Sequence, residues 1–329
     1  MPPLGSSSVL LTPGSIHGWS GPDVVLLVGR DTAGSGVHTA FPVWARALGL
    51  GNVVLRDVDV HADAARQVWR DLVGAMRNNP RVRGAVVTDD KLRLYRACAD
   101  LVDVQEPTVG LMAEINSLRL DDGRVWAFAR DALALHTVLG HAPLPAAPPA
   151  VVCLGAGGAA TALLLATALD VPATTAATTQ EPVAAPAIPA LTFVDRDPDA
   201  LDALRRVLDR LPVDAAAVRM LTAPTPQACA EVVAAAPAGA LVVNATGLGK
   251  VGPGSPLPDG AAFPADAVAW DFNDRGPLTF LAQARAAGVA AVDGRDYFLA
   301  GWACALGAVF DLDPARALTA IRGTEPAAA

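Results

Sequence analysis

The sequence predicts an α/β protein of two domains, each built on a mostly parallel sheet. Three observations carry this. In both halves, short apolar runs alternate with stretches whose apolar residues recur three and four positions apart, the marks of strands and helices. A Pro/Ala connector, "HAPLPAAPPA" (141–150), separates the halves. The second half opens on "AVVCLGAGGAATALLLATALD" (150–170), which reads strand, glycine turn, helix.

In the first half, "VVLLVG" (24–29) is a buried-strand pattern and "AFPVWARALGL" (40–50) has helical spacing. "NVVLRDVDV" (52–60) reads as a second strand, "DAARQVWRDLVGAM" (63–76) as a helix and "VRGAVVT" (82–88) as a third strand. The first domain spans 22–140, behind a loose leader at 1–21. In the second domain, 150–293, further strands are expected at 190–195, 218–223, 240–246, 267–272 and 290–294. Residues 171–189, "VPATTAATTQEPVAAPAIP", are low in complexity and read as a mobile surface loop. "YFLAGWACALGAVF" (297–310) is expected to be helical, within a C-terminal segment, 294–322, that returns to the first domain.

Composition narrows the function. With 329 residues and 52% hydrophobic content the chain can bury two cores, and its apolar runs break well before the ~18 residues of a membrane-spanning helix. A net charge of −8 without a basic cluster argues against a nucleic-acid partner. The N-terminus lacks a basic region followed by an apolar segment, so no secretory signal is evident. Cys98, Cys153, Cys229 and Cys304 lie far apart, giving no metal-ligand pattern and making a reducing cytoplasm the simplest setting. A small-molecule partner is expected, while monomer and homodimer stay open.

"GAGGAA" (155–160) fits the dinucleotide fingerprint of the Rossmann fold. Gly155 permits the tight turn, Gly157 lets backbone approach a pyrophosphate, and Ala160 allows close helix–strand packing. Ala156, Gly158 and Ala159 complete the loop, whose amides and helix dipole receive phosphates. The fingerprint expects an acidic residue about 20 positions further on. Asp195 lies 38 positions after Gly157, but without the 19-residue segment 171–189 the spacing is 19. A carboxylate there accepts from a free ribose diol and repels a 2′-phosphate, so NAD is favoured over NADP. Arg196 could pair with a phosphate or stack on adenine. Asp197, followed by Pro198, is placed to cap the next helix.

Six segments in order resemble the shikimate dehydrogenase superfamily, from about residue 24 to 312. "GAGGAA" is joined by "VNATGLG" (243–249), similar to that family's N-A-T-x-x-G loop beside the nicotinamide, and by "DFNDRGPLTFLAQARAAGVAAVDG" (271–294). "GAVVTDDK" (84–91) resembles G-x-x-V-T-x-P-x-K, "AEINSL" (113–118) resembles G-A-V-N-T-I, and "DGRVWAFARD" (122–131) keeps the spacing of D-G-x-x-x-G-x-N-T-D. The resemblance implies an active site in an interdomain cleft, with Lys91 and Asp131 as a catalytic pair. Asn244, Ala245, Thr246 and Gly294 would lie on the cofactor. Thr88 and Asn116 would bond ring hydroxyls, and Ser35 would match a carboxylate-binding serine.

Chemistry also wants such a pair, because interconverting an alcohol and a ketone by hydride transfer requires a proton to leave or join the oxygen. An ordinary lysine, with a pKa of roughly 10.4, starts as the acid. Other readings are that Lys91 pairs with Asp89 or Asp90 at a strand end, and that Asp131 simply begins a helix.

Several positions depart from the family pattern. "GRDTAGSGVHTAF" (29–41) lacks the clamp's proline, although His38 falls near its histidine. Ala129 and Arg130 replace Asn and Thr, and Gly301 stands in place of a glutamine. Arg130, Tyr297 and Trp302 are therefore candidates to refit the pocket for another cyclic hydroxy acid or a cyclitol. Two rival functions are a non-catalytic sensor of the same fold and another Rossmann enzyme of the methylene-tetrahydrofolate dehydrogenase kind.

Overall fold

The computed structural model describes residues 10–61, 63–139, 141, 143–170, 183–184, 189–250 and 252–325. The first nine residues of the leader and most of the 171–189 segment lie outside the described residues. Strands are β1 (Asp23–Gly29), β2 (Val53–Asp59), β3 (Val82–Val87), β4 (Val104–Gln105), β5 (Ser117–Asp121), β6 (Arg124–Phe128), β7 (Ala150–Leu154), β8 (Leu169–Asp170), β9 (Val183–Ala184), β10 (Ala190–Asp195), β11 (Val218–Thr222), β12 (Leu241–Asn244), β13 (Val268–Asp271) and β14 (Ala290–Val292). Helices are α1 (Pro13–His17), α2 (Val37–Ala47), α3 (Arg66–Arg77), α4 (Lys91–Cys98), α5 (Pro107–Met112), α6 (Asp131–Val138), α7 (Gly158–Ala168), α8 (Pro198–Leu208), α9 (Pro226–Ala234), α10 (Thr279–Ala286), α11 (Arg295–Phe310) and α12 (Pro314–Arg322). None is long and apolar enough to cross a membrane.

The described residues fall into two compact units: those up to Arg130 with those from Trp302 onward, and those between Asp131 and Gly301. The first break lies well before the Pro/Ala connector. Its cause is packing, since α6 buries Ala132, Leu133, Ala134 and Leu135 and lies against α7.

The first unit holds a six-stranded sheet in the order β2-β1-β3-β5-β6-β4. β1 is parallel to β2 and β3, as the apolar runs predict, and its residues 24–28 are buried on both faces. β5 and β6, which sequence periodicity did not single out, form an antiparallel hairpin beside β3. Its turn is Asp122-Gly123, with φ of 49° and 71°, the pair of positive angles a type I′ turn demands. Gly84 on β3 lets the hairpin in, for a Cβ there would sit 2.1 Å from the Leu118 carbonyl oxygen.

The second unit is an all-parallel sheet, β11-β10-β7-β12-β13-β14, whose order reverses between β7 and β12. That reversal is the topological switch point at which doubly wound sheets bind ligands, outside the carboxyl ends of their strands. β8 and β9 form a separate two-residue ladder.

Candidate active site

In the second unit, the glycine turn is shaped by its backbone. Gly155 has a φ of +109°, and a Cβ on it would lie 2.9 Å from both the carbonyl carbon and oxygen of Ala245. Only glycine satisfies both constraints. Gly157, the residue before α7, is exposed, and a Cβ there would meet nothing within 4 Å. The start of α7 is thus bordered by open space where amides and the helix dipole would receive a pyrophosphate. Gly158 and Ala159 form its first turn.

Asp195 closes this turn from the end of β10. Its Oδ2 accepts from the Ala156 amide at 2.7 Å, and its Oδ1 accepts from the Asp197 amide at 3.0 Å. Each carboxylate oxygen has a further lone pair, so the residue can still accept from a ribose hydroxyl. Asp197 caps α8 by accepting from the Asp199 amide, with Pro198 as first helical residue, and Arg196 is exposed. The residues present fit a dinucleotide.

Across the switch point, Asn244 ends β12 fully buried. Its Oδ1 accepts from the Thr246 amide (3.1 Å) and hydroxyl (2.7 Å), and its Nδ2 donates to Asp271 Oδ1 at 3.1 Å. Asn273 Nδ2 donates to the Leu248 carbonyl at 2.8 Å, which ties the 244–248 turn down from a second side. Gly294 donates to the Asn273 carbonyl, and a Cβ on it would fall 2.3 Å from the Phe272 carbonyl oxygen. Glycine is needed there for chain packing, whatever else it does. Tyr297 packs at a tilt against Phe272 (5.0 Å between centroids) and edge-on against Trp270 (6.4 Å).

In the first unit, the carboxyl ends of β1, β2 and β3 gather polar groups. Thr88 follows β3 and donates its amide to the Val28 carbonyl. Arg30 lies 3.6 Å from Asp89 and 3.4 Å from Asp90, and Arg93 lies 3.3 Å from Asp90. These carboxylates therefore have arginine partners. Lys91, half-buried, is the first residue of α4, and its carbonyl accepts from the Ile115 amide at 3.3 Å. Asn116 comes next, with its side chain buried and its Oδ1 accepting from the Arg130 amide at 3.2 Å. Asp131 follows Arg130 and begins α6.

Arg130 is only 2% exposed, and its Nε and Nη2 both donate to Glu106 Oε1, at 3.0 and 2.7 Å. Its guanidinium lies 4.7 Å from the centre of the Phe128 ring. The charge that the sequence offered to a substrate anion is engaged by a buried glutamate. Trp302 is buried against Trp44 at 5.8 Å. Ser35 stands after a short 3-10 turn and its hydroxyl accepts from the Val37 amide at 3.4 Å. His38 Nε2 lies 3.0 Å from the Thr32 carbonyl and 3.2 Å from the buried Asp57 carboxylate, so it is held within the fold.

No family model and no curated protein matches this chain. Solved structures do. The shikimate 5-dehydrogenase of Thermus thermophilus, in complex with NADP(H) and shikimate, is 24% identical, with 91% of this chain and 98% of that one covered and a TM-score of 0.66. Quinate dehydrogenase from Corynebacterium glutamicum, in complex with NAD, is 18% identical, covers 92% and 99%, and has a TM-score of 0.65. The enzyme from Listeria monocytogenes, in complex with shikimate and NAD, is 17% identical over 93% of each chain, at a TM-score of 0.62.

The chain has the shikimate dehydrogenase fold.

Within that fold, three residues of note escaped the sequence reading. Glu106, the partner of Arg130, precedes a proline and resembles an ordinary helix start. Asp57 sits within an apolar strand, opposite a histidine 19 positions earlier. Asp271 is fully buried at the end of β13, and burial pushes its carboxyl up to about 6. The signal for Asp271 was an acid closing the apolar run "AVAWDF", where no water is expected.

Proposed function

We propose that the protein is a nicotinamide-dinucleotide-dependent oxidoreductase that interconverts a hydroxyl and a ketone on a cyclic hydroxy acid or cyclitol. Lys91 and Asp131 form its proton-transfer pair. Support comes from the shared fold together with the Gly155–Gly157 turn and Asp195, which fit a dinucleotide. The observation that carries the reading is a pair of hydrogen bonds: the Ile115 amide donates to the Lys91 carbonyl, and the Arg130 amide, one residue before Asp131, donates to the Asn116 side-chain oxygen.

When bound, the cofactor supplies the hydride acceptor or donor. In the oxidative direction Lys91 takes the proton from the substrate hydroxyl oxygen, and in the reductive direction it returns one to the ketone oxygen. Asp131 orients the lysine and balances its charge. Thr88, Asn116 and Ser35 bind substrate oxygens. Tyr297, Trp302 and Gly301 shape the pocket, and Arg130 stiffens it through Glu106. Asp195 favours NAD, because a 2′-phosphate would meet its carboxylate. Asn244, Ala245, Thr246 and Gly294 form the nicotinamide side.

The test is a reduction screen of NAD and NADP across cyclic hydroxy acids, aminocyclitols and polyols, repeated with Lys91→Ala. Turnover by the variant should fall about a hundredfold or more, with NADH affinity and melting temperature unchanged. Equal turnover would remove the mechanism. Shikimate emerging as the best substrate would contradict the reading of a refitted pocket.

A further inference from the structure

The 244–248 turn rests on a carboxylate that the proposed chemistry does not use. Asp271 Oδ1 accepts from Asn244 Nδ2 (3.1 Å) and from the Asn273 amide (3.0 Å), while Oδ2 is buried without a hydrogen-bond partner. A bare buried charge is expensive, and chains retain one only where something compensates it. The charged group acting on it is Lys250, which lies 3.0 Å from Asp274. Asp274 in turn is 3.4 Å from Arg275. Asp293, beyond β14, spends its carboxylate on the Arg295 amide and its carbonyl on Trp270 Nε1. Lys250 is thus already shared, and Asp271 keeps a net negative field when ionised.

Position gives that field a target. A doubly wound sheet binds a dinucleotide across its switch point, with the acidic residue of the first half on the adenosine ribose. Here Asp195 marks that half at β10, so the other half of the ligand falls on the β12–β13 side. The two sides touch, since Gly155 packs directly on Ala245.

We infer that Asp271 is a positioning residue of the nicotinamide half-site, which braces the Asn244 turn and by its own charge favours the oxidised, cationic nicotinamide over the neutral reduced one. This rests on the dinucleotide site proposed above. Burial raises the carboxyl's pKa to about 6, against the lowering effect of its hydrogen bonds from Asn244 and Asn273 and of Lys250, so the group is charged at pH 8 and neutral at pH 5.

Calorimetric titration of the full chain with NAD+, NADH and ADP-ribose between pH 5 and 8 tests it. The affinity for NAD+ should fall about fivefold from pH 8 to pH 5, that for NADH should change much less, and ADP-ribose, which lacks the nicotinamide, should show no change. Asp271→Asn keeps an Oδ1 acceptor and should flatten the NAD+ profile. Should that variant fail to fold, Lys250→Met serves instead, because losing the ammonium should move the NAD+ midpoint to higher pH. Binding at pH 6 should also release protons, read as a dependence of the measured heat on buffer ionisation enthalpy. An unaltered slope in Asp271→Asn, an unmoved midpoint in Lys250→Met, or an equal slope with ADP-ribose overturns the inference while leaving the dinucleotide site intact. Failure of all three ligands to bind at any pH removes the site, and the inference with it.

Discussion

The glycine turn after β7 and the polar edge after β3 are built from different materials. The turn is made of backbone. Gly155 is fixed by its φ of +109° and by Ala245 against it, and one carboxylate, Asp195, holds its amide. The edge is made of side chains whose partners come from far along the chain. Arg130 meets Glu106 at a separation of 24 residues, and Arg30 meets Asp89 at 59. A backbone site is written locally, as glycines in order. A side-chain site depends on the assembled sheet. Four substitutions measure that difference.

The largest effect belongs to Glu106→Ala. It would leave a guanidinium 2% exposed without its counter-charge, which typically costs about 3–5 kcal/mol. Urea denaturation should show the loss, and the double variant Glu106→Leu with Arg130→Met should recover most of it. A single variant as stable as the parent would show that Arg130 finds another anion, reopening its reading as a substrate ligand.

The two glycines divide the turn's own roles. Gly155→Ala forces a side chain into a left-handed conformation against the Ala245 carbonyl, and should cost about 2 kcal/mol or more of stability as well as nucleotide affinity. Gly157→Ala meets no protein atom, so stability should hold while NADH affinity falls about tenfold, or about 1.4 kcal/mol. If Gly157→Ala bound NADH as the parent does, the open space beside α7 would not be where the pyrophosphate lies.

The same contrast explains what the sequence made legible. β1, β7 and β12 were readable because parallel strands buried on both faces are continuous apolar runs, and the edge strands β2, β11 and β14, only partly buried, still carry short apolar runs. The β5–β6 hairpin went unread as structure, although Asp122-Gly123 between apolar residues carried a strong local signal. β4 is two residues long and has no periodicity to read. Among site residues, Asp195 and the glycines follow from a spacing rule. Glu106 does not, because nothing local distinguishes an acid that will be buried from one that will be solvated, and Asp271 was marked only by the apolar run it closes. Arg130 shows the reverse error: its charge was legible, but the partner that occupies it was not.

The smallest effect lies at the lysine itself. Arg30 is half exposed and lies near both Asp89 and Asp90, and exposed ion pairs contribute about 0–1 kcal/mol. Arg30→Ala should therefore scarcely change the melting temperature. It would, however, leave two carboxylates less neutralised immediately before Lys91 in the chain. Negative charge favours the ammonium form, so under the mechanism proposed above the alkaline limb of the reductive pH–rate profile should move to higher pH. Reductive turnover, with Lys91 as the acid, should persist further into alkali, and the oxidative direction should begin later. A profile that does not move, with full stability retained, would mean that Arg30 is too well screened to reach the lysine. Movement to lower pH would contradict the assignment of Lys91 as the proton-carrying group.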